Sequence, residues 1–507
     1  MTAPSPVPVE TGRTPVVIRW MVAATFTVIL NETIMVNAIP SLAEDFDVSY
    51  NAAQWLSTAF LLTMAAVIPV TGWFLQRVTT RRAFALAMIT FSAGTLLALV
   101  APVFWVLLAA RIIQASGTAV MMPLLMTTLM TVVPTQDRGR VMGNVTLAMS
   151  VAPALGPAVS GVLLDLGSWR YIFATVLPIA VGVTVAALRK LQNVGEPQAG
   201  DIDWLSVGIA ATGFGGLVYG LSEFATGDRL VPALIVAGGA VMIALFAGRQ
   251  LRLQRIGAPL LDLRVLKHGT YRLGLIVMSI SFMTMLGAMI LLPLYLQDVR
   301  GLSALKTGLL VMPGGLAMGL LGPRVGAWFD KHGSKPLIIP GSIVMVLSLF
   351  ALSRIGADTP YGLILANHIV LMVSLAMLFT PIFTLSLGDV PMPLYSHGSS
   401  MLGTVQQVAG AFGTALVVTV MTAHAKSQVE DGVAPLTAQV HGIELSILVC
   451  AVISIAVIGL VLRMPSRPAV DPHAGPATEV ELEAEVEQLE AELEELGEEP
   501  LSPGTPS

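Results

Sequence analysis

Gly326-Ala-Trp-Phe-Asp330-Lys331-His-Gly333-Ser334-Lys335 and Gly72-Trp-Phe-Leu-Gln76-Arg77-Val-Thr79-Thr80-Arg81 are two copies of one phrase. Each opens on glycine, reaches a polar residue four positions on, follows it with a base, and closes on a second base four positions later. Each also follows an apolar run long enough to cross a bilayer as a helix, and the two runs stand second and tenth along the chain. A duplicated six-span unit with two further spans inserted between the copies gives that separation. Parallel repeats of this kind place a substrate path between the halves.

Working outward, fourteen apolar runs can be marked. The first six are Val16–Ile39, Ala53–Leu75, Ala83–Ala101, Val103–Val133, Val141–Leu164 and Tyr171–Leu188. Trp204–Leu221 and Leu230–Gly248 follow. The last six are Leu273–Leu296, Ala304–Trp328, Leu337–Ser353, Tyr361–Leu387, Gly398–Thr422 and Gly442–Leu462. Composition agrees: 55% of the 507 residues are hydrophobic and 12% charged, about half the charge of a soluble domain, and the mean hydropathy is +0.79. Too few charges are present to cover several soluble domains. The single cysteine, Cys450, excludes a disulfide within the chain. Met1 to Pro15 lacks the pattern of a cleaved signal, so the first run reads as a retained span.

Basic residues test the count. With the N-terminus inside, twenty of the 27 lysines and arginines fall on inner segments, among them Arg77, Arg81, Arg138, Arg140, Lys331 and Lys335. Six fall outside, and Arg111 lies within a span. A missed or added span would scramble this alternation, so both termini are expected in the cytoplasm. The expected architecture is an all-α integral membrane protein. Its parts are a cytoplasmic N-tail (1–15), a six-helix bundle (16–191), two inserted helices with a basic loop (192–270), a second six-helix bundle (271–463) and an acidic cytoplasmic tail (464–507).

Three further stretches complete the pattern: Leu107-Leu-Ala-Ala-Arg111-Ile-Ile-Gln114-Ala-Ser-Gly117 in the fourth run, Pro153-Ala-Leu-Gly156-Pro157-Ala-Val-Ser160-Gly161 in the fifth, and Asn31-Glu32-Thr33 leading to Pro40 in the first. With the paired loop phrases, these resemble the signatures of the major facilitator superfamily, in its fourteen-span drug/proton antiporter (EmrB/QacA-type) branch. Within that branch the chain looks most like the lincomycin-resistance multidrug exporters, from about Arg19 to Arg463. The second loop phrase is similar to the family's Gly-x-x-x-Asp-Arg-x-Gly-x-Lys pattern. The first departs from it, with Gln76 for the aspartate and Thr79 for the glycine. In the first span the acid stands one position late, as Glu32, with Asn31 at the usual carboxylate position. The resemblance implies gating roles for Gly72, Arg77, Arg81, Gly326, Asp330, Lys331, Gly333 and Lys335. It also implies that the segment with Pro153, Gly156, Pro157 and Gly161 controls leakage.

Glu32 and Arg111 are the clearest ionisable residues inside the spans. A charge near the bilayer centre costs about 2.5–3.5 kcal/mol even on a lenient scale, so such residues pair and mark function. Glu32 lies eight residues before Pro40, roughly 12 Å below the outer edge. Arg111 lies at similar depth on a span of opposite direction, so a proton-coupling pair is expected. Arg111, Gln114, Thr118 and Met122 share one helical face. With Asn31, Met35, His368 and Gln407 they are candidates for a substrate cavity. Polar packing between helices is the alternative for each. Ala148, Ala152, Gly156 and Ser160 recur at four-residue steps and predict close helix contact. Gly403, Gly410 and Gly413 suggest a counterpart in the thirteenth run. Arg249 to Arg272 reads equally as an amphipathic surface helix or as a topology-setting loop. In the tail, Leu482, Val486, Leu489, Leu493 and Leu496 keep heptad spacing between glutamates. Like charges there favour a solvated helix over self-association, so a monomer is expected.

No phosphate loop, HExxH, GxSxG or CxxC pattern occurs. Neither an ATP site, a metal site nor enzyme chemistry is therefore expected, and the energy source left is the proton gradient. The expected partners are small lipophilic substrates, protons and membrane lipids, with no nucleic acid. The leading expectation is a proton-coupled antiporter exporting lipophilic, often cationic compounds from the cell across its inner (plasma) membrane. The alternatives are an exporter of one endogenous lipid or secondary metabolite, and a non-transporting membrane sensor.

Overall fold

The computed structural model describes residues 14–36, 38–191, 193, 200–223, 230–257, 259–356 and 358–467. Among them there is no strand, and fourteen helices are long and apolar enough to cross a membrane. The first bundle contains α1 (Val16–Val36), α3 (Tyr50–Arg77), α4 (Thr80–Leu99), α5 (Phe104–Val132), α6 (Arg138–Asp165) and α7 (Arg170–Lys190). A short helix, α2 (Ile39–Asp45), with Pro40 in its first turn, follows α1. The inserted hairpin is α8 (Trp204–Glu223) and α9 (Leu230–Leu253). The second bundle contains α10 (Gly269–Leu294), α11 (Ala304–His332), α12 (Lys335–Leu352), α13 (Tyr361–Gly388), α14 (Tyr395–Glu430) and α15 (Pro435–Val461). The division is the expected six, two and six. The tail with its heptad lies in a separate unit, Pro468–Ser507, outside the described residues. Truncation after Arg467 therefore removes no span, and transport by the truncated protein is expected to match the full chain in a flux assay at equal membrane content. Lost flux from a truncation that still inserts would contradict this.

Local sequence sets the helix ends. The hydroxyls of Ser49, Thr79 and Ser303 accept hydrogen bonds from Ala52, Arg82 and Lys306 N–H and so cap α3, α4 and α11. Thr79 explains one departure from the repeated phrase. Its φ is −60°, an ordinary value, and its hydroxyl is needed as a cap. Gly333, at the matching place in the second copy, has φ +82°, which only glycine adopts without strain.

The halves meet along two seams, α6 with α11 and α3 with α14. The first is nearly backbone on backbone. A Cβ on Gly326 would strike the Gly139 carbonyl, one on Gly322 the Gly143 carbonyl, and one on Gly315 the Ala154 side chain. The opposite face of α6 carries the predicted small-residue stripe, and it lies on α1. Gly156 abuts Thr33, and Ser160 donates to the Ile34 carbonyl (2.8 Å). In the second half, Gly410 and Gly413 of α14 lie on α10, and Gly403 meets Ile68 of α3. α14 thus plays the part of α6, touching the first helix of its own bundle and a helix of the other.

The inserted hairpin closes on itself through Gly213, Gly220 and Gly239, and α8 packs on both α3 and α14. After α9 the described residues form no amphipathic surface helix. The chain turns at Gly257, buries Leu260, Leu261 and Val265, and hands the Leu260 N–H to Gln250 Oε1 at 2.7 Å. At the start of the hairpin Arg249 donates to both oxygens of Asp203, at 2.7 and 2.8 Å. That fork holds the Asp203 carboxyl well below the usual carboxylate range, at about 2. An unfolded-state Asp titrates near about 3.9, so this contribution is complete above roughly pH 4 and disappears as pH falls through about 2. Amide exchange in α8 and α9 is expected to quicken across that window. Asp203→Asn is expected to quicken it already at neutral pH. Equal protection in wild type and variant at neutral pH would refute the role.

Candidate functional site

Call the basic face the end of the bundle that carries Arg77, Arg81, Arg138 and Lys331. Asp330 sits there, at the end of α11, and caps the start of α6. Its Oδ1 accepts the Gly139 N–H and its Oδ2 the Arg140 N–H, both at 2.7 Å. The donors are among the free N–H groups of the first turn of α6, where the helix dipole favours a carboxylate. Asp137, at the head of the same helix, makes no capping bond of its own. The N-cap of one half is therefore supplied by the other. Glycine is required at 139 because a Cβ there would overlap Asp330 and Phe329.

At the equivalent place in the first half, Gln76 Nε2 donates to the Pro393 carbonyl (2.9 Å), just before α14. A neutral amide bonding a carbonyl replaces a carboxylate bonding two amides. Arg77 stacks over Trp73 at 4.8 Å and donates to the Gly200 carbonyl at 3.2 Å. Arg81 joins the same edge, its N–H donating to Asn193 Oδ1 (3.3 Å). Gly72 lies against buried His397 of α14. Farther in, hydroxyl pairs join the halves: Thr127 with Ser399, and Thr146 with Thr380, each at 2.8 Å. The basic face is thus shut by direct contacts on both seams.

Glu32 lies deep within the first bundle yet keeps part of its side chain accessible, and no described residue hydrogen-bonds it. Arg111 is buried to 1% exposure. Its Nε donates to the Leu56 carbonyl (3.3 Å), its Nη1 donates to Gln114 Oε1 (2.9 Å), and its guanidinium lies 4.2 Å above the Phe60 ring. Gln114 in turn donates to Thr95 Oγ1 (2.9 Å). The two charges interact electrostatically, but no ion pair within 4.0 Å joins them. The two expected partners thus couple through space, a cation pinned by other bonds beside an acid that no described residue hydrogen-bonds. Nothing in the sequence around Phe60 or Thr95 marks either as part of this arrangement; packing alone brings them to Arg111 and Gln114.

The other candidates fall in several places. Thr118 is buried and back-bonds to the Gln114 carbonyl, whereas Met122 is half-buried. Met35 is fully buried in an apolar cluster with Leu107 and Phe173. Asn31 is fully buried with both side-chain atoms unpartnered, beside Glu32 in the chain. Gln407 is half-buried and points Nε2 at Met64 Sδ (3.9 Å) across the α3–α14 seam. His368, on α13, is 3% exposed, packs on Gly314 of α11, bonds the Val311 backbone, and leaves Nδ1 without a partner. Pro153 and Pro157 lie within α6, and Gly161 nears Leu305 of α11. Lys335 opens α12, one residue past Ser334.

Comparison with known proteins agrees with this architecture. The chain is 38% identical over 426 residues to the lincomycin resistance protein LmrB of Listeria monocytogenes, covering 83% of this chain and 89% of that protein. It is 36% identical over 460 residues to the MFS-type transporter YcnB of Bacillus subtilis, covering 90% and 96%. It is also 28% identical over 461 residues to the multidrug resistance protein MdtD of Cronobacter sakazakii, covering 88% and 94%. Among solved structures, the human organic anion transporter MFSD10 superposes with a TM-score of 0.62 at 14% identity over 87% of this chain and all of that one. The proton:xylose symporter XylE gives 0.59 at 15% identity over 87% and 95%. The Major Facilitator Superfamily profile matches residues 21–414. With fourteen spans and that family's fold, the protein is a multi-pass cell-membrane transporter and not an enzyme, and the chain belongs to the Major Facilitator Superfamily.

Proposed function

We propose that the protein is a proton-coupled antiporter that exports small lipophilic, often cationic compounds by alternating access, with Glu32 as the acid that carries the proton. One observation bears most of this reading: Glu32 is a deep, partly accessible acid with no hydrogen bond, beside an arginine whose own bonds are made elsewhere. Such an acid can trade its partner, because no hydrogen bond from a described residue ties it down. The names of the lincomycin- and multidrug-resistance relatives support the substrate class. In this reading the basic face and both termini lie in the cytoplasm, as the charge bias requires. Residues 16–191 and 271–463 rock against each other, 192–270 is an inserted hairpin, and the protein works as a monomer without a cofactor. The half-buried Gln407, with the unpartnered nitrogen of His368 and the amide of Asn31, offers a mostly apolar path its few polar contacts, and the half-buried Met122 an adaptable apolar one.

Proteoliposome flux under an imposed pH gradient tests the proposal. Lipophilic cationic dyes and lincosamides are expected to move against their own gradient while a proton gradient exists, and to stop when an ionophore collapses it. Transport that ignores the gradient would overturn the coupling, and transport of none of the panel would overturn the substrate class.

A further inference from the structure

The loop after Asp330 is held by a part of the chain that the site described above does not use. Beyond α15 the backbone turns and runs along the basic face as Met464–Arg467. The Ser334 N–H donates to the Ser466 carbonyl at 2.7 Å, and the Ser334 hydroxyl to the Pro465 carbonyl at 2.8 Å. The Arg467 guanidinium donates to the Lys331 carbonyl at 3.3 Å. Met464 is buried to 1% and anchors the segment in the main apolar core. Gly333, at φ +82°, faces Ser466 so closely that a Cβ would overlap it. The 331–334 loop is thus bonded on its free side by a four-residue segment, while Asp330, immediately before it, caps α6 of the other half.

We infer that Met464–Arg467 is a positioning strap for the gate: it fixes Lys331–Ser334, and through them the Asp330 carboxylate, at the N-terminus of α6, and so favours the state closed at the basic face. The physical argument is one of order. A capping carboxylate gains its bonds only when the end of α11 is already in place, and the described bonds hold that end from both sides. When the halves part, the Asp330 bonds must break while the strap bonds, lying within one half, can persist. The strap then keeps the carboxylate aimed for reclosure. This rests on the closed basic face and not on proton coupling.

The test uses the full chain in a Cys450→Ser background, with Thr146→Cys as reporter at the α6–α13 contact, buried in the closed state. Thiol labelling applied from the basic face reads how often that face opens. Ser334→Ala with Arg467→Ala is expected to raise the labelling rate roughly five- to tenfold, the population change expected when the end of α11 must be ordered anew at each closure, and to lower turnover without altering KM. A chain ending at Arg463 should show at least as large a change. A chain ending at Arg467, which keeps the strap, should label like the full chain. Adding Asp330→Asn to Ser334→Ala/Arg467→Ala should give less than the product of the separate effects, because both act through the same cap. Unchanged labelling in the Ser334→Ala/Arg467→Ala protein, or effects that simply multiply with those of Asp330→Asn, would overturn the inference. If the chain ending at Arg463 fails to insert, the full-length variants decide alone.

Discussion

Glu32→Gln is expected to reduce substrate-driven proton movement in proteoliposomes to background, while leaving binding of neutral compounds in place. Glutamine keeps the size and the hydrogen-bonding capacity of the side chain and removes only its titration. In wild type, water-poor surroundings favour the neutral acid and a neighbouring guanidinium favours the carboxylate. Under the alternating access proposed above, the two tendencies would shift against each other as water reached the site from one face and then the other. Arg111 is tied to the Leu56 carbonyl, Gln114 and Phe60, so its charge stays fixed and the change of state falls on Glu32. In the proposed mechanism a cationic substrate would compete with the proton for the same carboxylate, which would give antiport by mutual exclusion. Glu32→Asp should retain part of the activity, with the acid on a shorter arm. The measurement is proton movement on substrate addition, wild type against variant, at matched incorporation. Undiminished movement with glutamine at position 32 would remove Glu32 from the role and leave His368 as the next candidate.

Asp330→Asn should slow turnover roughly tenfold or more, and Gln76→Ala by no more than about threefold, although the two positions match in the repeated phrase. The difference follows from what each side chain bonds. Asp330 makes two charge-assisted bonds to the free amides of a helix start, and bonds to a charged group are worth about 1.5–3 kcal/mol. Asparagine loses the charge, and its amide nitrogen would face an N–H donor, leaving one good bond at most. Across the seam Gln76 makes one neutral bond to the Pro393 carbonyl, worth about 1 kcal/mol, and its Oε1 accepts only a long bond from the adjacent Arg77 of its own half (3.4 Å). Initial-rate flux at saturating substrate separates the variants. Equal losses would show that the halves close the basic face by equivalent means, against the asymmetry in their bonds.

How much of this was legible in the sequence follows from the kind of information each feature carries. Apolar length and basic-residue bias are sums over neighbouring residues, so the fourteen spans and the inserted pair were readable run by run. The loop repeat was readable because both copies sit on local phrases with fixed offsets. Glu32 stood out because a lone acid in an apolar run is costly wherever it packs. What the tertiary structure alone decided are bonds between distant segments. Asp330 caps a helix whose amides lie about 190 positions earlier, and no local pattern at Gly139 or Arg140 announces that partner. Arg111 matched Glu32 in depth, but depth along a helix says nothing of azimuth. Packing turned the guanidinium to the Leu56 carbonyl and Gln114, leaving the acid unbonded. The leucines between Arg249 and Arg272 were equally suited to a membrane surface or a loop, and only packing beside α9 settled that Leu260 and Leu261 turn inward while Leu251 stays exposed. Composition and period determine which segments enter the membrane. Which polar groups meet inside it depends on how the helices rotate and cross, and that is fixed only when close-packed surfaces, glycine against backbone above all, find their partners.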